Sequence, residues 1–162
     1  MIYCMDSSAL IDLGERHYPE HVLVFKPIWD FLYHGIEDGA IVSVDYVKIE
    51  MEKMAMDWRT RFYEQAHSMF SISAEIESEY GSVIRSIETN DRFSQNKARD
   101  AFVSGADPWL IALANTIGNG DATVVSGEKK TLAGYGLGAV CKELKVRHLN
   151  LIEMFEENKI GH

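Results

Sequence analysis

The sequence predicts an α/β protein, a three-layer α/β/α sandwich around a parallel central sheet of about four or five short strands, with a helical lobe over residues 57–102. Three observations carry this. Ile2-Tyr3-Cys4-Met5, Ala40-Ile41-Val42-Ser43-Val44 and Ala122-Thr123-Val124-Val125 are short runs rich in apolar and β-branched residues, the pattern of strands buried on both faces. Between them lie stretches with the apolar spacing of amphipathic helices. The first and third runs are followed at once by polar residues, Asp6-Ser7-Ser8 and Ser126-Gly127-Glu128, at the strand ends where open parallel sheets bind their ligands.

The length of 162 residues suits one domain, and 46% hydrophobic with 10% aromatic residues is enough for a sizeable core. No apolar run approaches the roughly 18 residues of a membrane span, and the N-terminus lacks the basic and longer apolar regions of a signal peptide, so a soluble cytoplasmic protein is expected. Cys4 and Cys141 have no metal-type spacing and are read as reduced, buried thiols. The net charge of -9 argues against broad attraction to nucleic acid or anionic membrane and favours a basic protein partner. An acidic metal-binding cluster would itself supply part of that excess.

The first strand ends at Asp6, and Ser7 and Ser8 stand where a helix N-cap would, ahead of Ala9-Leu10-Ile11. Residues 15–25 read as irregular. His17 and His21 are four apart, but Pro19 between them breaks the helix that would bring them to one metal. Pro27 reads as the N1 residue of a structural helix with Ile28, Trp29, Phe31, Leu32 and Ile36 on its stripe, stopped by Gly39. After the second strand, Asp45 reads as the N-cap of a helix to about Ala55. On it Val44, Val47, Met51, Met54 and Ala55 cluster, with Glu50 flanking that stripe and Glu52 on the other side, slightly further out; one of the two is a candidate to reach the crevice, Glu50 before Glu52.

From Asp57 to Phe102 two or three amphipathic helices are expected, from the pattern of Trp58, Phe62, Ala66 and Phe70, then Ile72 to Ile87, then Phe93 to Phe102. Arg59, Arg61, Arg92, Lys97 and Arg99 are read as solvated surface rather than a phosphate-binding strip. Asp107 as N-cap and Pro108 as N1 open an apolar helix through Leu110-Ile111-Ala112-Leu113-Ala114 that ends at Gly118. Gly134, Gly136 and Gly138 match neither a Walker loop nor GxGxxG and read as a connector. His34, His67, His148 and His162 are isolated and receive no role. Val146 to Leu149 closes the sheet, and Asn150 with Glu153 forms a capping-box-like pair for the last helix, Leu151 to Asn158.

The chemistry-bearing pattern is acidic. Asp6 and Glu128 follow two expected parallel strands, Asp107 stands at a helix start and Glu50 on a helix flank. Clustered carboxylates repel unless a cation sits between them, and oxygen-only ligands suit Mg²⁺ or Mn²⁺. The order of these parts resembles the PIN-domain family of metal-dependent ribonucleases. Asp107-Pro108-Trp109-Leu110-Ile111-Ala112 is similar to a PIN-like prokaryotic subfamily related to VapC-type toxins. The resemblance runs from the first strand to the last, and it is the order and spacing of the motifs that are specific.

That resemblance implies catalytic, metal-binding roles for Asp6, Glu50 and Asp107, with Glu128 as a more variable fourth acid. Ser8 and Ser126 match positions that support the acids. Glu128 departs from the family, where aspartate is common, as does Gly127 before it. The implied activity is metal-dependent hydrolysis of phosphodiester bonds in single-stranded RNA or an exposed RNA loop, by an endoribonuclease acting as the toxin of a toxin-antitoxin pair, with an antitoxin protein and a homodimer as partners. The alternative within the same fold is a binding or assembly module without turnover. A receiver-type phosphate-handling domain fits less well, because such domains pair acids near the first strand and here Met5 precedes Asp6.

Overall fold

The computed structural model describes residues 1–71, 73–93, 97–127 and 136–160. Four parallel strands, β1 (Ile2–Met5), β2 (Ile41–Val42), β3 (Ala122–Ser126) and β4 (Arg147–Asn150), form one sheet in the order β2-β1-β3-β4. Helices flank the sheet in a three-layer α/β/α arrangement. All five residues of β3 are buried, as are Tyr3, Cys4 and Met5 of β1, which explains why these strands read as continuous apolar runs. The chain passes from β1 to β2 on one side and returns to β3 on the other. The gap between the carboxyl ends of β1 and β3 is therefore the topological switch point, where such sheets bind ligands.

Helix α1 (Ser7–Ile11) leaves β1 directly and runs into a π-helical turn, Asp12–His17. Glu15 to Phe25, expected as irregular, thus carries the end of that turn and a 3₁₀ turn, Leu23–Phe25. Helix α2 (Lys26–Glu37) begins one residue before Pro27, and Gly39 follows it at a φ of 71°, the left-handed conformation that glycine adopts without steric cost. Helix α3 (Asp45–Glu52) buries Val47 and Met51. Its N-cap is Val44, so Asp45 is the first helical residue rather than the cap.

The lobe consists of α4 (Arg59–Gln65), α5 (Ala74–Thr89, capped by the Ser73 hydroxyl) and α6 (Lys97–Ser104). Helix α6 starts after Phe93, and Trp58 occupies the cap position of α4. Trp58, Phe62 and Trp29 meet edge-on inside the core. Gly14 is required there, because a Cβ would fall 2.2 Å from the Trp58 ring. The segment after β2 is tied to the lobe by Ser43, whose amide donates to Met69 and whose carbonyl accepts from Ser71. Helix α7 (Asp107–Thr116) packs along α5 and against β1 and β3.

Helix α8 (Leu137–Glu143) precedes β4, and α9 (Leu151–Glu157) closes the chain. Cys4 and Cys141 are free and buried, and burial pushes the Cys4 thiol up to about 12, so it stays a neutral, small apolar group. Among the described residues no helix is long and apolar enough to cross a membrane.

The capping box of α9 is complete: Asn150 Oδ1 accepts from the Glu153 amide at 3.0 Å, and Glu153 Oε2 accepts from the Asn150 amide at 2.9 Å. Replacing Asn150 with Ala removes one half of this exchange and is expected to cost about 1 kcal/mol, read as a lower urea midpoint with unchanged slope.

Candidate active site

Asp6 is the first residue beyond β1. Its amide donates to the Val125 carbonyl at 2.9 Å, which fixes it at the β1–β3 seam. Its backbone is extended, and its side chain is itself the N-cap of α1: Oδ2 accepts from the Ser8 amide at 3.1 Å and from the Ser8 hydroxyl. The cap expected at Ser7 or Ser8 is therefore the acid, and the serines are its partners. Ser8 Oγ also accepts from the Gly127 amide at 2.9 Å, so one hydroxyl joins Asp6 to the chain leaving β3.

Glu50 comes to the same place from α3. Its Oε2 accepts from the Ser7 hydroxyl at 2.7 Å, and Ser7 Oγ lies 3.4 Å from Asp6 Oδ1. A hydroxyl has one proton, so the short contact to Glu50 is the hydrogen bond and the longer one leaves Asp6 Oδ1 weakly engaged. Glu50 Oε1 accepts from the Ala106 amide at 2.9 Å, the amide at the start of α7. Glu50 thus caps a helix 56 residues further along the chain. The N-cap of α7 is Ala106, whose side chain makes no cap bond, and Asp107 is the first helical residue rather than the cap. Asp107 follows directly on the residue whose amide holds Glu50.

Electrostatics mark the pair. Asp6 is 5% exposed, and burial drives its carboxyl above the ordinary carboxylate range; hydrogen bonds from Ser8 and the Ser7 amide oppose this, and the charge of Glu50 adds to it. Among the described residues neither Asp6 nor Glu50 forms a salt bridge with a cationic side chain.

The donor set, two carboxylates meeting at a hydroxyl, fits a hard divalent cation in chemistry, because such an ion removes the mutual repulsion and accepts oxygen ligands only. Among the described residues no three His, Cys, Asp or Glu side chains are grouped as metal ligands. Glu128, the other acid expected at the strand ends, lies outside the described residues, as do Lys129, Lys130, Thr131 and Gly134.

Several other expectations are relocated. Glu52 lines an open cleft of about 610 Å³ with Arg59, Thr60, Tyr63 and Glu64 and does not join Asp6. Ser126 is fully buried and its Oγ lies 2.9 Å from Nε2 of His148, so His148 is not isolated. A Cβ on Gly138 would come within 3.0 Å of the same imidazole. Arg59 donates to the carbonyls of Met51 and Met54 at the end of α3, Arg92 pairs with Glu143 at 2.8 Å, and Arg99 lies 3.9 Å from Glu88 with its side chain largely buried rather than solvated, so these arginines are engaged within the protein.

Two residues enter the site unforeseen. Ser7 links the acids. Asp12, almost buried and paired with Arg16 at 2.9 Å, abuts Gly127, where a Cβ would fall 2.3 Å from its Oδ2. An acid inside the apolar run Ala9 to Leu13 was the available signal for Asp12. For Ser7 there was none beyond the serine doublet.

Fold and site together define an α/β protein with a buried aspartate and a half-buried glutamate meeting at the switch point of a parallel sheet. The chain belongs to the family described as a domain of unknown function, DUF4411, whose model matches residues 3–161. No curated protein matches it.

The raised carboxyl of Asp6 has a stability consequence. Folding holds its proton more tightly than the unfolded chain does, so stability falls as pH rises from the ordinary value of 3.8 through the raised one. Asp6→Asn, which keeps an oxygen for the Ser8 amide, is expected to be more stable than the wild type at pH 7 in metal-free buffer. That gap should close as pH falls to 3.8 and below, when unfolding is followed across pH.

Proposed function

We propose that the protein is a metal-dependent ribonuclease of PIN-like type, an endonuclease hydrolysing phosphodiester bonds of single-stranded RNA. The observation that carries the reading is the meeting of Asp6 and Glu50 on the Ser7 hydroxyl at the β1–β3 switch point, with Ala106 and Asp107 beside them. Asp6 and Glu50 would hold Mg²⁺ or Mn²⁺, with Asp107 and Glu128 as the remaining acids of the set. When bound, such an ion stabilises charge on a phosphoryl oxygen and lowers the pKa of a coordinated water.

The chain's own residues do the rest. Ser8 holds Asp6 Oδ2 and leaves Oδ1 turned toward Ser7 and Glu50. Ser7 and the Ala106 amide fix both oxygens of Glu50, so its orientation is set before any ligand arrives. Asp107 or Glu128, the remaining acids of the set, would orient water. A recessed carboxylate site favours an RNA single strand or loop, whose backbone can approach without a paired partner strand.

The same reading places the protein in the cytoplasm as the toxin of a toxin-antitoxin pair, a homodimer held inactive by an antitoxin protein. The net charge of -9 favours an inhibitor whose contact surface is basic.

The test is cleavage of end-labelled single-stranded RNA with Mg²⁺ or Mn²⁺, with EDTA, and with Asp6→Asn, Glu50→Gln and Asp107→Asn proteins shown to be folded. Cutting should require the metal and fall at least about 100-fold in the Asp6 and Glu50 variants, the scale of losing a charge-stabilising group in a site of this kind. Equal cutting by wild type and variants contradicts the reading. Oligonucleotide binding without any cutting would favour a binding module instead.

A further inference from the structure

Three aromatic rings stack across the helices that carry Glu50 and Asp107 and the helix packed along α7. Tyr46 precedes Glu50 by one helical turn on α3, so both project from one side of that helix. Trp109 lies in the first turn of α7, two residues after Asp107. The Trp109 ring stacks with Tyr46, with centroids 4.6 Å and planes 17° apart, and with Tyr80 of α5, at 3.9 Å and 14°. Every other aromatic pair among the described residues meets edge-on or tilted, as in an ordinary core. Parallel stacking is the arrangement that a nucleobase adopts on an aromatic side chain.

Exposure separates the three. Trp109 and Tyr80 are half-buried where α7 packs on α5, while Tyr46 keeps 38% of its surface in solvent. Among the described residues the Tyr46 hydroxyl and the Trp109 indole N–H make no hydrogen bond. Overall charge sharpens the point. A chain of net charge -9, whose Arg59 and Arg92 are engaged internally, has little general attraction for a polyanion. Contacts that do not depend on charge must then hold a single strand, and stacking is such a contact.

We propose that Tyr46 is a base-stacking platform: a nucleobase of single-stranded RNA lies on its exposed ring, continuing the Tyr46–Trp109–Tyr80 stack, and sets a neighbouring phosphate before Asp6 and Glu50. This rests on the ribonuclease reading for the phosphate, while the stacking itself is measurable without cleavage.

The experiment is equilibrium binding of a labelled single-stranded RNA decamer in Ca²⁺ and in EDTA, by wild type, Tyr46→Ala and Tyr46→Phe. It is repeated with a decamer series carrying one abasic position moved along the strand. Tyr46→Ala should weaken binding roughly 5- to 150-fold, the range for loss of one stacked base, and Tyr46→Phe should hold affinity within about twofold. At one position the abasic change should weaken wild type but leave Tyr46→Ala unaffected, a coupling that a merely structural tyrosine would not produce. Equal binding by wild type and Tyr46→Ala, or no binding by wild type in either buffer, overturns the proposal. Metal-dependent cutting by wild type with an unchanged KM in Tyr46→Ala overturns the stacking alone. Tyr46-dependent binding without any cutting supports the stacking and defeats the nuclease reading.

Discussion

Everything at the site depends on keeping the carboxyl of Asp6 buried at the seam between β1 and β3. A buried carboxylate is costly unless hydrogen bonds or a cation replace its water. The local sequence supplies part of that replacement at once, because a residue in extended conformation before a helix can cap it, and Ser8 two positions on presents both an amide and a hydroxyl. The same hydroxyl accepts from Gly127, so the cap of α1 also fastens the chain leaving β3. Gly127 has no side chain because Asp12 and the Ser8 carbonyl occupy the space a Cβ would need. Strand order, helix cap and close approach thus converge on one acid.

Glu50 extends the arrangement from the sheet to the helices. By accepting from Ser7 on α1 and from Ala106 at the head of α7, it ties three elements that are far apart in sequence. A carboxylate at a helix start is favoured by the exposed N–H groups there, so the bond that positions Glu50 also stabilises α7. It also leaves Asp107 without the capping task that its place before Pro108 suggests. Because Val47 and Met51 bury the adjoining face of α3, Glu50 and Tyr46 are held on a helix that is packed rather than free to turn.

Much of the fold was legible in the sequence because strands buried on both faces need apolar runs, and helices need their stripe and caps. The last helix shows this best, with Asn150 and Glu153 making the two bonds that their spacing suggested. Helix starts were less legible. Asp45 and Asp107 look like caps but are first helical residues, since an acid serves either position and the choice is made elsewhere, for α7 by an acid 56 residues away. Asp6 and Glu50 could be picked out locally, from a strand end and from the border of a buried stripe. Their shared serine could not, nor could the approach of His148 to Ser126, which depends on the register of β3 against β4.

The most direct test of the account is Mn²⁺ binding by wild type, Asp6→Asn and Glu50→Gln, followed by the loss of the free-ion electron paramagnetic resonance signal in a buffer without RNA. If the two carboxylates form one cation site, wild type removes Mn²⁺ from solution and each single substitution weakens that binding at least about tenfold, the scale of altering a metal's oxygen environment. Binding that is equally strong in all three proteins would place the metal elsewhere and contradict the central claim.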